Sequence, residues 1–151
     1  MTKFDRLTAV LNDFHQLLEN EQHELIVRLN ESWEKAKQDY KLALEAGVVT
    51  KSAIASGLEQ GIRETPLLLR TLPEQIRSLA NQALSSALQR HAPDLYSKEL
   101  ERLQKIIARG RIKSESEYYL VRYHIDALEG TPSDSNLLSS LYALEDAFHS
   151  Q

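Results

Sequence analysis

No cysteine occurs among the 151 residues, which excludes disulfides, thiolate metal sites and a cysteine nucleophile. The same absence agrees with a reducing cytoplasm, the compartment expected here. Glycine and proline are scarce, at five and four residues, and they fall where helices should end. No stretch alternates apolar and polar residues for long, and no Asn-Gly or Asp-Gly pair suggests a hairpin, so strands are not expected. Long apolar runs are missing too. Pro66-Leu67-Leu68-Leu69 is the longest uncharged one, far short of the roughly 20 residues of a membrane span. The opening residues, Met1 to Arg6, have no apolar stretch behind their charges, so no secretory signal and no membrane association are expected.

What is present looks globular. The hydrophobic fraction is 42% and the charged fraction 26%, enough of each for one folded domain spanning 1–151. The net charge of −4 is unevenly laid out. Residues 1–47 carry six Lys and Arg against nine Asp and Glu, and 48–93 carry five against three. Residues 94–113 carry six against three, and 114–151 carry one against seven. A basic segment followed by a strongly acidic one suggests that the two pack together.

Apolar periodicity predicts an all-α bundle of five to seven helices. A long first helix over about 2–46 would end at Gly47. Leu7, Leu18, Leu29 and Tyr40 form one row spaced by eleven, and Phe14, Leu25 and Ala36 form another. That period is nearer 3.67 than 3.5 residues per turn and favours a nearly straight helix. Unbroken, it would reach roughly 65 Å, too long for a domain of this size. Either it breaks at the polar stretch Glu19–Gln22, or its overhang packs on a second copy through Leu18, Leu25, Leu29 and Trp33.

A helical core over about 50–110 follows. Thr50 can cap a helix of about 51–64, whose Ala53, Gly57 and Gly61 recur every four residues and would admit a close neighbour. Thr65 is then expected to cap a short Leu-rich turn beginning at Pro66. Thr71-Leu72-Pro73-Glu74 reads as a capping box opening a helix to about His91, with Ile76, Leu79, Leu84 and Leu88 facing inward. The next helix starts at Pro93 and stops at Gly110. Ser114-Glu115-Ser116-Glu117 is a second capping box, and the helices after it form a C-terminal αα-hairpin over about 114–149. Gly130 would close its first helix and Ser133 or Asp134 would cap its second. The long first helix is expected to be the spine, with the hairpin packed across it.

Chemical motifs are absent. No Gly-x-Ser-x-Gly nucleophile elbow, His-Glu-x-x-His motif or phosphate-binding glycine loop occurs. Catalytic residues, cofactors and metals are therefore not expected, and the reading leans away from an enzyme. His15, Glu19 and His23 stand four apart and could share a metal, but they read better as solvated residues beside the apolar stripe. Ala53, Gly57 and Leu58 match part of a helix-turn-helix pattern, which Pro66 and Arg63 then spoil. His124 is expected to hydrogen-bond a neighbour at the hairpin.

Two clusters remain as candidate partner-binding residues. Arg102, Lys105, Arg109, Arg111 and Lys113 gather near a helix C-terminus, where cations are stabilising in any case. Tyr118, Tyr119, Tyr123 and Tyr142 crowd the hairpin, and Tyr118 and Tyr119 cannot both face one core. The expected function is a non-enzymatic helical interaction or regulatory protein, with a protein partner or a homodimer. A nucleic-acid-associated regulator using the basic residues 102–113 is the alternative. A helical enzyme or ligand pocket lined by Trp33, Tyr40 and His124 is the third reading.

Overall fold

The structure, a computed structural model, describes residues 1–129 and 135–150. Among them it contains seven helices and no strand: α1 (Lys3–Leu17), α2 (Glu24–Glu45), α3 (Lys51–Leu68), α4 (Glu74–His91), α5 (Pro93–Arg109), α6 (Glu115–Glu129) and α7 (Ser135–His149). No helix of the described residues is long and apolar enough to cross a membrane. The all-helical bundle and the C-terminal hairpin of α6 on α7 are as the sequence predicts. The expected stop at Gly130 and caps at Ser133 or Asp134 lie outside the described residues.

The long first helix is two helices. α1 starts with a capping box, Thr2 Oγ1 accepting from the Asp5 N–H at 3.1 Å and the Asp5 carboxylate accepting from the Thr2 N–H at 3.2 Å. It ends at the polar stretch after Leu18, whose side chain turns into the core. The Glu21 carboxylate accepts from the N–H groups of Gln22 and His23, and Nδ1 of His23 accepts from the Leu25 N–H to cap α2. α2 then doubles back along α1. Asn30 donates to the Leu18 carbonyl at 3.2 Å and meets His15 Nδ1 at 2.7 Å, while Trp33 Nε1 donates to Asn12 Oδ1 at 2.9 Å.

The spine of the fold is α4, not the N-terminal helix. Ala80, Ala83, Ala87 and Ser85 keep its surface thin, so α1, α5 and α6 can all approach it. The hairpin accordingly packs on α4 and α5 through α6 and α7, rather than across the first helix. Leu79, expected inward, is 48% exposed, because the buried face centres on Ala80, Leu84 and Leu88.

Three local expectations need correction. Thr65 does not cap a new turn: α3 runs through Pro66 to Leu68, and the Thr65 hydroxyl donates back to the Gly61 carbonyl at 2.8 Å. One proline late in a helix deletes one hydrogen bond, and buried Leu58, Ile62 and Leu69 hold the turn regardless. The capping box at Thr71–Glu74 does not form, since α4 begins at Glu74 with Pro73 as its N-cap and no side-chain cap. Ser114 does cap α6, accepting from the Glu117 N–H at 3.2 Å. The Glu117 carboxylate, however, takes the Lys113 N–H at 2.7 Å and the Arg109 guanidinium instead of reaching back to Ser114. Gly110, with φ of +83°, makes the left-handed stop of α5 as expected.

Candidate functional site

The candidate residues for self-association divide. Leu18 and Trp33 are buried in the chain's own α1–α2 seam, where Trp33 stacks on His15 with ring centroids 6.0 Å apart. Leu25 and Leu29 are half-buried. Beyond them, α2 and α3 leave an apolar groove of about 230 Å³. Leu11 and Phe14 of α1 form its floor, with Leu29, Trp33, Ala36 and Tyr40 on one wall and Gly57, Leu58 and Gly61 on the other. Gly57 and Gly61 are exposed, and outside the adjoining backbone of α3 no atom of the described residues lies within 4 Å of where a Cβ would stand on either. The close neighbour expected on this stripe is thus not supplied by the described residues. Nor is Gly57 in a turn between two helices, because α3 is continuous across it.

The basic residues are partly spent internally. Arg102 and Arg63 both pair with Glu99, at 3.1 and 3.4 Å, and Arg109 pairs with Glu117 at the start of α6. Lys105, Arg111 and Lys113 are exposed. The hairpin tyrosines have three different fates. Tyr123 is buried, Tyr118 is half-buried with its hydroxyl 3.1 Å from His149 Nε2, and Tyr119 is half-buried beside the Arg63–Glu99–Arg102 cluster. Tyr142 is exposed, and its hydroxyl donates to Glu129 at 2.9 Å.

Sequence reasoning missed a buried ionic cluster at the α4–α6–α7 junction. Asp126 is fully buried and accepts from Arg77 Nε and Asn81 Nδ2, both at 2.8 Å, and from Arg122 Nη2 at 2.7 Å. Arg122 reaches on to Glu145 of α7 at 2.9 Å. Burial alone would raise the Asp126 pKa. The donors of Arg77, Arg122 and Asn81 outweigh it and hold the carboxyl below its ordinary value. The signal available in the sequence was the i,i+4 pair of Arg122 and Asp126 on one helix face.

His124 lies one residue pair away and does not find the hydrogen bond expected of it. It is 3% exposed, and its Nε2 has no partner among the described residues. Such an orphan costs about 1–3 kcal/mol. Burial lowers its pKa to about 4, so the ring is neutral near pH 7. Trp33 and Tyr40 line the α2–α3 groove, whereas His124 lines a separate cleft of α4–α7, so the third expected pocket does not assemble. His15 and His23 are not brought together either, one turning to Asn30 and the other capping α2.

Comparison of the chain with family models, with curated proteins and with solved structures finds no match.

Proposed function

We infer that this chain is a non-catalytic helical interaction protein, and that its partner across the α2–α3 groove is a second copy of itself. The reading is carried by the bare backbone at Gly57 and Gly61, set in an apolar groove and open to solvent. Glycines inside a helix cost about 1 kcal/mol each relative to alanine, a cost that close approach of another helix offsets. Leu68 adds exposed apolar surface along the groove, and Leu42 and Val48 are exposed as well.

Charge selects the occupant. Residues 19–34 hold five glutamates against Arg28, while residues 35–45 hold three lysines against Asp39 and Glu45. Two α2 helices crossing antiparallel therefore set acidic halves against basic halves, the isologous arrangement of a two-fold dimer. Lys105, Arg111 and Lys113 lie outside this face and are not needed for it.

Light scattering after gel filtration tests the reading. A dimer is expected at micromolar concentration, and Gly61→Glu should convert it to a folded monomer, since position 61 is exposed and a Cβ there meets open space within one copy. A wild-type monomer, or a Gly61→Glu dimer, would overturn the proposal.

A further inference from the structure

α6 packs against α3, α4 and α5, but α3 is not closely packed on α4 or α5. The space left between them is a pocket of about 90 Å³, which shares no lining residue with the α2–α3 groove. Buried Ile62, Leu84, Leu88, Leu95 and Leu120 give it an apolar interior. Leu67 and Ser116, both exposed, and half-buried Tyr119 mark its mouth, between α3 and the first turns of α6. Among the described residues Arg63, Arg102, Glu64 and Glu99 are the charged members of the lining, and their formal charges cancel. Glu99 is held by Arg63 and Arg102, at 3.4 and 3.1 Å, and the Glu64 carboxylate accepts from Gln60 at 2.7 Å.

We propose that this pocket binds a small neutral ring, a monocyclic arene of about seven heavy atoms, held as an apolar body between α3, α4, α5 and α6. The size follows from the volume. One water takes roughly 10–15 Å³ of such space, so the pocket holds about six to nine heavy atoms. The apolar character follows from the leucines and Ile62: side chains around an empty space forgo dispersion contacts, and an apolar occupant restores them. The neutrality follows from the pairing. A charged ligand would lose its water among leucines, while the charges of the lining are already spent on one another. The ring follows from rigidity, since it enters without freezing rotamers, and Tyr119 gives it an aromatic neighbour at the mouth.

The test is titration of the ¹⁵N-labelled protein with toluene, with benzoate and benzylammonium as its charged counterparts. Toluene should shift the Ile62, Leu88, Glu99 and Leu120 amides saturably, and each counterpart should bind at least about tenfold more weakly. Leu88→Phe, which fills the interior, should weaken toluene binding about tenfold or more. If Leu88→Phe does not fold, Ser116→Trp crowds the mouth from an exposed position and should give the same loss. Absence of saturable shifts would overturn the proposal, as would equal affinity for a charged counterpart or affinity unchanged in the variant that folds. Shifts centred on Ala36 and Gly57 would place toluene in the α2–α3 groove and overturn it too. Gly61→Glu should titrate like the wild type, which separates this pocket from self-association.

Discussion

Helix α2 is the longest element and has the plainest apolar stripe, yet only Ile26 and Trp33 of its 22 residues are buried. α4 has 18 residues and an interrupted stripe, and seven of them are buried, Asn81 and Ser85 included. Periodicity reports which face of a helix is apolar, whereas burial depends on how many neighbours that face can hold. The alanines of α4 let three helices close on it, but α2 has α1 as its main neighbour. Between these two helices, the one at the centre of the fold is marked by small and buried polar residues, and the one at its margin by large apolar ones.

The largest expected effect breaks that centre. Asp126→Ala would leave Arg77 and Arg122, whose side chains are 17% and 15% exposed, without their shared carboxylate. A loss of about 3–5 kcal/mol is expected in urea unfolding. Cutting the exposed Arg28–Glu24 pair on α2 should leave the midpoint unmoved. Equal losses from the two cuts would abolish the distinction between centre and margin.

Acid sharpens the same contrast. The folded-state pKa of His124 is depressed to about 4, against an unfolded value near 6.5. Between those limits the unfolded chain takes up a proton that the folded one refuses. Stability is then fully present above about pH 6.5 and falls by up to about 3 kcal/mol on the way to pH 4. His15, in the α1–α2 seam, is lowered mainly by desolvation and contributes in the same direction. Urea midpoints at pH 7 and pH 5 should converge more in His124→Phe than in His15→Gln, and parallel wild-type and His124→Phe slopes would contradict the account.

The smallest effect lies at the margin and has the opposite sign. Gly57→Ala and Gly61→Ala should each raise the stability of the isolated chain by about 0.5–1 kcal/mol, because neither methyl meets an atom and neither φ is positive. Thermal melts would show it, and destabilisation would mean that the groove is already closed within one copy.

Much of the architecture was legible in the residues. Thr50, Pro93, Gly110 and Ser114 mark helix ends by chemistry that acts within a few residues, and the polar stretch Glu19–Gln22 marks where the first helix divides. Thr71 and Pro66 misled because local signals there compete with packing: Leu69 and Leu72 are buried and fix the chain's path between α3 and α4. The site was less legible. His124 and Asp126 are two residues apart and look unrelated, yet the approach of α4 adds Arg77 and Asn81 to the Arg122 donor of Asp126 and, among the described residues, leaves His124 Nε2 with none.

The turn at residues 18–23 also has a mechanical consequence. α2 extends about 33 Å from it, and its fastenings, Asn30, Trp33 and Ile26, all sit in the half nearer the turn. The stretch beyond Trp33 reaches about 18 Å further, so a tilt of about 10° there carries Glu45 through roughly 3 Å. The groove lies beside these fastenings, Trp33 being one of its walls, so the hydrogen bond from Trp33 to Asn12 fixes its inner end while the stretch beyond Tyr40 is the part free to widen it.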